Sequence, residues 1–108
     1  MKATPVSERI FMDQVRTIAL MNGWLIDHTP TMQYSPGKYA TGGLKGKADL
    51  LLIHPQGRGI IWAELKTERG KMTPEQMAFA QAVHNNGGEF HLWRPSQIEL
   101  IAVRLGKR

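Results

Sequence analysis

Cysteine is absent from the 108 residues of this chain. Its absence excludes disulfides, thiolate zinc sites and thiol nucleophiles together. Long apolar runs are absent too. The segment MKATPVSERIF contains no signal-peptide core, and the longest candidate for a membrane segment, 18–26, is interrupted by Asn22 and Gly23. We therefore expect a soluble, cytoplasmic protein with no membrane partner.

Acidic residues are scarce relative to basic ones. Nine Asp and Glu stand against fourteen Lys and Arg, which gives a formal charge of +5 and a pI near 9.9. This balance favours a polyanionic partner, either nucleic acid or an acidic membrane surface. The four histidines are scattered without metal-ligand spacing, so a histidine-bound metal is not supported. The length fits a single domain over 1–108.

The sequence predicts three helices. Ser7 reads as the N-cap of the first, whose apolar stripe begins at Phe11 and Val15, has Glu8 on the same face, and ends at Gly23. The second opens with the capping box of residues 73–76, which has a proline at the first helical position, and ends at a Gly-Gly pair. Ser96 caps the third.

Four strands are predicted between these helices, over 24–28, 49–54, 60–66 and 89–93, whereas 29–47 has no periodic pattern and is predicted to be a loop. The second and third strands form a hairpin around a turn-rich segment. Both faces of this hairpin are largely apolar, as expected for inner strands covered by helices on both sides. The predicted order is αβββαβα, and the predicted class is α/β.

Three charged residues meet at one corner of the predicted hairpin. A turn centred between Gly57 and Arg58 would pair Asp49 with Lys66 and place Glu64 on the same face. One interpretation is a solvated cross-strand salt bridge, which would contribute little to stability. The other is a catalytic site. Two converging carboxylates supply the hard oxygen ligands that Mg²⁺ or Mn²⁺ prefers, and a neighbouring lysine can hold a water and offset charge on a phosphodiester.

Several motifs resemble the PD-(D/E)XK nuclease superfamily, and within it the VRR-NUC group of virus-type replication-repair nucleases. They are GKAD at 46–49 before an apolar strand, AELKT at 63–67, GKMTPEQ at 70–76, and a Gly-Gly pair before the strand that ends in Trp93-Arg94. The resemblance extends from about Glu8 to about Leu105. The chain departs from the superfamily at Ala48, where proline is usual, and this departure concerns the geometry of the chain that enters the strand.

The resemblance implies a restriction-endonuclease-like core, in which a mixed β-sheet is flanked by helices, and a Mg²⁺- or Mn²⁺-dependent DNA nuclease. It implies catalytic roles for Asp49, Glu64, Lys66 and Gln76. It also implies metal ligation by Glu8, Asp49, Glu64 and the backbone carbonyl of Leu65. The short relatives occur in phages and mobile elements and tend to be homodimers that act on branched DNA such as four-way junctions. The expected location is therefore the cytoplasm of a bacterial host.

Several assignments have structural alternatives. Gln76 also fits the fourth position of a capping box, and Glu8 also fits an acid stabilised by the helix dipole. Five basic residues near the predicted site in sequence are candidates for phosphate contacts, although any one of them could simply be solvated: Lys38, Lys45, Lys47, Arg69 and Lys71. The alternative functions are a non-cleaving DNA-binding or complex-assembly module, and a small basic structural protein.

Overall fold

The computed structural model describes residues 6–28, 31–35, 38–41 and 44–106, with 31–35 and 38–41 described as strand backbone. Within these ranges, no helix is both long enough and apolar enough to cross a membrane. The described residues form three α-helices and six β-strands.

The first helix, α1, spans Glu8–Met21 and begins where the sequence predicts. The side-chain oxygen of Ser7 accepts a hydrogen bond from the backbone N–H of Ile10, which satisfies one of the otherwise unpaired donors of the first turn. Phe11, Val15 and Ala19 are fully buried. Their spacing of four residues places them on one face of the helix, and this face packs onto the sheet.

The main sheet has four strands: β1 (Leu25–His28), β4 (Leu50–Ile53), β5 (Ile60–Leu65) and β6 (Glu89–Trp93). They lie in the order β1-β4-β5-β6. Strand β4 runs antiparallel to both of its neighbours, β1 and β5, whereas β6 runs parallel to β5. A parallel pair needs a crossover connection, and helix α2 (Pro74–Asn85) provides it. The predicted mixed sheet with flanking helices and the α/β class are thus confirmed.

A second, two-stranded sheet lies within the segment predicted to be a loop. Its strands are β2 (Thr31–Ser35) and β3 (Lys38–Thr41), which pair antiparallel with a register shift between Gln33 and Ser35. The order of elements is therefore αβββββαβα rather than αβββαβα. The segment contains glycine, proline and lysine but no alternation of apolar and polar residues, which is the signal from which strands are predicted.

The two faces of the main sheet are buried unequally. The core face is covered by α1 and by the last helix, α3 (Ile98–Leu105), and its strand residues are fully buried. These residues are Leu50, Leu52, Ile61, Ala63 and Leu65. Full burial of a side chain such as leucine or isoleucine stabilises a fold by about 1.5–3 kcal/mol. The core face therefore carries most of the hydrophobic stabilisation.

The opposite face, called the site face below, carries Leu51, Trp62 and Glu64 and is covered by α2. No residue of α2 is fully buried. The helix contacts the sheet through Phe79, whose ring lies edge-on to Trp62 with 5.2 Å between ring centroids. The predicted covering of both faces by helices is correct, but the covering of the site face is partial.

The hairpin of β4 and β5 has a different register from the predicted one. Leu51 pairs with Trp62, and Ile53 pairs with Ile60. The turn is therefore centred between Gln56 and Gly57, one residue earlier than predicted, and each pairing shifts by two positions. Because side chains alternate with a period of two, a shift of two positions keeps every side chain on its predicted face.

Candidate active site

Glu64 is a charged residue inside the fold. It lies in β5, and only 2% of its side chain is exposed. Its Oε2 accepts a hydrogen bond of 3.0 Å from Nε2 of Gln76 and lies 3.6 Å from Nζ of Lys66. Its Oε1 is buried and has no hydrogen-bond partner among the described residues. Such atoms are rare in folded proteins, and each calls for a specific cause such as a bound water or ion.

Asp49 lies directly before β4, and its side chain continues the hydrogen bonding between β4 and β5. Its Oδ2 accepts a hydrogen bond of 2.8 Å from the backbone N–H of Leu65. Because Leu50 pairs with Ala63, continuing the register places Asp49 opposite Glu64 on the site face. Directly opposite residues of an antiparallel pair have Cβ atoms about 4.5–5.5 Å apart. The structure therefore brings the two predicted carboxyl groups together, although Asp49 faces Glu64 instead of Lys66.

The backbone carbonyl of Leu65 is directed toward the same space. In a β-strand the N–H and C=O of one residue point to the same side, and the N–H of Leu65 points at Asp49. Three oxygen-bearing groups thus converge at the end of the hairpin: the carboxyl groups of Asp49 and Glu64 and the Leu65 carbonyl.

The pKa of Glu64 is raised from 4.5 to about 8. Burial is the largest cause, because it removes water from the charged form, and the negative charge of Asp49 adds to it. Lys66 acts in the opposite direction and lowers the pKa, but it does not offset the other causes. The raised pKa favours the neutral, protonated form of Glu64 at neutral pH.

Gln76 takes part both in the capping box of α2 and in a hydrogen bond to Glu64. Thr73 and Gln76 form a complete capping box at the start of α2: the Thr73 side chain accepts from the Gln76 N–H, and Oε1 of Gln76 accepts from the Thr73 N–H. The amide nitrogen of the same side chain remains free to donate to Glu64. One side chain therefore fixes the start of the helix and orients the carboxyl group of Glu64.

A close approach at Gly46 joins the Asp49 segment to helix α2. Gly46 has a φ of +77°, and a Cβ at this position would lie 2.3 Å from the backbone oxygen of Glu75 and 2.8 Å from the backbone nitrogen of Gln76. Only glycine fits, for reasons both of backbone conformation and of space. The contact places the chain that leads to Asp49 against the residue that orients Glu64.

The converging oxygens suit a hard divalent cation. Mg²⁺ and Mn²⁺ take carboxylate and carbonyl oxygens as ligands, and Asp49, Glu64 and Leu65 offer such oxygens. The unpartnered Oε1 of Glu64 is the atom that a cation would satisfy. Within the ranges that the structure describes, no group of three His, Asp or Glu side chains is close enough to hold a metal. The side-chain donor set is thus the Asp49–Glu64 pair.

The structure does not bring Glu8 to this pair. Glu8 is the first residue of α1 and is exposed to solvent, and α1 packs on the core face, whereas Asp49 and Glu64 lie on the site face. Its position in the first turn is the one that the helix dipole stabilises. A metal role for Glu8 stays a prediction.

The five basic candidates differ in what the structure describes. Lys45, Arg69 and Lys71 are exposed, and Lys47 is half-buried. Lys38 is the first residue of β3, and its side chain lies outside the described part of the chain. Arg69 and Lys71 lie in the segment between β5 and α2, which directly follows Lys66. Their contact with nucleic acid stays a prediction.

One residue near the site was not predicted from the sequence as functional. Arg94 directly follows β6, and its guanidinium donates to backbone carbonyls of the segment after Lys66. An arginine at the end of a strand carries no local signal of such contacts. Only the parallel pairing of β5 with β6 reveals them.

Comparisons with known proteins identify the fold. A solved structure described as "VRR_NUC domain" superimposes on the chain with a TM-score of 0.64 and 22% sequence identity, over 87% of this chain and 91% of that one. No family model matches the sequence, and no curated protein does. The chain therefore has the fold of a VRR_NUC domain, a nuclease-like α/β fold, and the resemblance drawn from the sequence motifs is confirmed at the level of the fold.

Proposed function

We propose that this protein is a divalent-metal-dependent DNA nuclease that hydrolyses phosphodiester bonds. The observation that carries the proposal is the environment of Glu64: a buried carboxyl group beside Asp49, with one unpartnered oxygen and with Lys66 at 3.6 Å. A salt bridge made only for stability gains little from burying a carboxyl group with an oxygen unpaired. In a site that binds a cation and a phosphate, by contrast, the buried carboxyl group supplies the negative charge that holds the cation.

Asp49, Glu64 and the Leu65 carbonyl would hold the Mg²⁺ or Mn²⁺. When bound, such an ion supplies Lewis-acid polarisation of the phosphoryl group and lowers the pKa of an attacking water. The two carboxyl groups would have different roles in holding the ion. Glu64 would release its proton to water on binding the cation, and Asp49 is held in place by the hydrogen bond that it accepts from the Leu65 N–H.

Lys66 and Gln76 act around these ligands. The ammonium group of Lys66 is half-buried and can position a water and stabilise negative charge that develops on the phosphate oxygens. Gln76 donates to Oε2 of Glu64, so Oε1 is the oxygen left for another partner. The orientation of the carboxyl group is therefore set before any ligand arrives, which is the preorganisation that metal sites require.

The proposed substrate is DNA. The chain carries a net charge of +5, and the exposed Arg69 and Lys71 follow the site directly in sequence. Basic side chains beside a cleavage site neutralise backbone phosphates without reading the base sequence. By analogy with the family resemblance we further propose branched DNA such as a four-way junction, a homodimer that supplies two sites, and a role in phage or mobile-element recombination or repair in a bacterial cytoplasm.

The proposal is tested by cleavage of end-labelled single-stranded, duplex, flap and four-way-junction DNA with and without Mg²⁺ or Mn²⁺. Wild type is compared with Glu64→Gln and Lys66→Ala, and Glu99→Gln serves as a matched control because Glu99 is an exposed acid on α3, on the other side of the sheet. We expect metal-dependent products from wild type and the control, and their loss in both site variants. Light scattering with and without junction DNA tests the homodimer.

The competing function is a DNA-binding module that keeps this fold without cutting. Such a protein would bind the labelled DNAs and leave them intact at every metal concentration, and Glu64→Gln would not change its affinity. The intact set of Asp49, Glu64 and Lys66 favours the enzyme, because a module that does not cut has no use for a buried carboxyl group beside a second one.

A further inference from the structure

Arg94 lies beside Lys66 at the end of the sheet. The backbone N–H of Lys66 donates to the carbonyl of Trp93 at 3.0 Å, and Arg94 keeps extended dihedral angles of −126° and 156°. Because Glu64 pairs with Leu92 in the parallel register, the next position on the same face pairs Lys66 with Arg94. The two cationic side chains therefore leave the sheet side by side on the site face.

A single nitrogen of Arg94 binds the segment 67–70 that follows Lys66. Nη1 donates to the carbonyl oxygen of Thr67 at 2.5 Å, to that of Gly70 at 2.7 Å and to that of Glu68 at 3.2 Å. A cationic donor makes stronger hydrogen bonds than a neutral one. These three contacts fold the segment into a compact loop, and the N–H of Gly70 closes it by donating to Thr67.

The loop in turn packs against the aliphatic stem of Lys66. A Cβ at Gly70 would lie 3.4 Å from Cβ of Lys66 and 3.5 Å from its Cδ, which is ordinary van der Waals distance, so the loop runs alongside that stem. Lys66 is only 17% exposed, and its Nζ lies 3.6 Å from Oε2 of Glu64. A long flexible side chain would otherwise sample many rotamers in solvent.

We infer that Arg94 is a positioning residue for Lys66, which acts by clamping the loop 67–70 against the lysine stem. The inference rests on the proposed function for its catalytic consequence, whereas the clamp itself is a property of the fold. Loss of the clamp frees Lys66 to move away from Glu64, and a displacement of about 1 Å in a catalytic group can lower a rate about 100-fold.

Two substitutions separate positioning from a direct phosphate contact. Lysine carries three donors on one nitrogen, so Arg94→Lys can bind the three carbonyls that Nη1 binds. It cannot offer the Nε and Nη2 donors, which bind no acceptor among the described residues. Arg94→Met keeps an unbranched apolar stem but removes every donor. Arg16→Met is the matched control, because Arg16 is exposed on α1, on the other side of the sheet.

The first measurement is single-turnover DNA cleavage with Mn²⁺ as a function of protein concentration. We expect Arg94→Met to lower the saturating rate about 10–100-fold with little change in the half-saturating concentration, and Arg94→Lys to restore most of that rate. Arg16→Met should behave as wild type. If Arg94→Lys is as impaired as Arg94→Met and both raise the half-saturating concentration, Arg94 contacts phosphate and the inference is wrong.

The second measurement needs neither metal nor DNA. Lys66 is acetylated with a low concentration of an amine-reactive ester, and its modification rate is read by peptide mass spectrometry relative to the exposed Lys71. We expect Lys66 to react several-fold faster in Arg94→Met than in wild type and Arg94→Lys, at temperatures where all variants are folded. An unchanged rate refutes the clamp.

The two measurements fail independently. If wild type cleaves no DNA, the proposed function is wrong, and the labelling rate still decides whether Arg94 holds Lys66. If Arg94→Met does not fold, Gly70→Ala tests the same loop, because its Cβ would lie only 3.1 Å from Thr67 Oγ1, the acceptor of the Gly70 N–H, and the loop would have to shift. That variant should also lower the rate and expose Lys66, and wild-type behaviour in both assays would refute the inference.

Discussion

Replacing Glu64 with glutamine should stabilise the metal-free protein at alkaline pH. The folded protein holds the Glu64 proton up to a pKa of about 8, whereas the unfolded chain releases it near 4.5. Between these values the folded state binds more protons than the unfolded state, so the free energy of unfolding falls as pH rises. The stability associated with neutral Glu64 is complete below pH 4.5 and is lost as pH rises through 8. Glutamine stays neutral throughout and keeps that stability.

The size of the effect follows from the pKa difference. The rise from 4.5 to about 8 corresponds to roughly 5 kcal/mol at 1.36 kcal/mol per pH unit, which is an upper bound because a buried charge also draws in water and moves its neighbours. We therefore expect Glu64→Gln to exceed wild type by a few kcal/mol at pH 9 and to match it near pH 4.5. In a domain of about this size, each kcal/mol shifts Tm by roughly 4–8 °C.

The assay is urea unfolding of both proteins in EDTA at pH 5, 7 and 9, with thermal melts in parallel. Glu89→Gln is the control of opposite sign. A hydrogen bond from Arg104 holds the pKa of Glu89 below its ordinary value, against the effect of burial, and His91 contributes to the same shift. The stability from Glu89 is present above pH 4.5 and is lost as pH falls through its lowered pKa, so this variant should be less stable than wild type at pH 7 and 9.

Adding Mn²⁺ should make wild type more stable than Glu64→Gln, which reverses the order expected in EDTA. An ion that binds only the folded state stabilises it by mass action, and the glutamine variant lacks one of the two carboxylates that would bind it. If Glu64→Gln is no more stable than wild type at pH 9 in EDTA, the Glu64 carboxyl group does not carry a raised pKa. If Mn²⁺ stabilises both proteins equally, the metal does not bind at the Asp49–Glu64 pair.

Further predictions concern the groups around Glu64. Mn²⁺ titrations at pH 7 in buffers of different ionisation enthalpy should show release of about one proton per ion, because the Glu64 pKa lies above that pH; no buffer dependence would contradict this. Gly46→Ala should destabilise the fold by more than about 2 kcal/mol in urea unfolding, whereas Gly57→Ala, which has a similar φ but no atoms within 4 Å of the added Cβ, should lose less. Gln76→Met should lower the free energy of unfolding by about 1 kcal/mol through loss of the cap. It should also lower the cleavage rate per folded molecule, because Glu64 loses its hydrogen-bond donor. An unchanged rate would show that Gln76 acts only at the start of the helix.

Local signals explain which parts of the fold could be predicted from the sequence. The starts of α1 and α2 depend on side chains within three residues of Ser7 and Thr73, and both N-caps lie where predicted. The turn of the β4–β5 hairpin was misplaced by one residue, because the segment 55–59 has two glycines and a proline and permits more than one turn. The pairing of β2 with β3 was not predicted, since the sequence of this segment shows no alternation of apolar and polar residues.

The candidate site could be predicted only in part, since it combines alternation with contacts between distant segments. Asp49 and Glu64 were placed on one face by the period of two, which survives a register error of two positions. No local pattern in the sequence indicates the contact between Gly46 and Glu75. This contact places the Asp49 segment next to Gln76. Nor does a local pattern indicate the contacts of Arg94, whose partners lie 24 to 27 positions earlier in the chain.

The burial of Glu64 links the stability of the fold to the chemistry of the site. A buried carboxyl group with an unpartnered oxygen lowers the free energy of unfolding, and the fully buried core face, on the other side of the same strands, supplies the hydrophobic stabilisation that offsets it. Under the proposed function the same burial would make the group a better metal ligand than an exposed one, since Gln76 and the strand fix its orientation and little water would compete for Oε1. Exposing Glu64 by trimming Phe79, which packs on the neighbouring Trp62, should therefore lower its pKa and weaken Mn²⁺ binding together. A pKa that falls while Mn²⁺ affinity stays unchanged would separate the two properties.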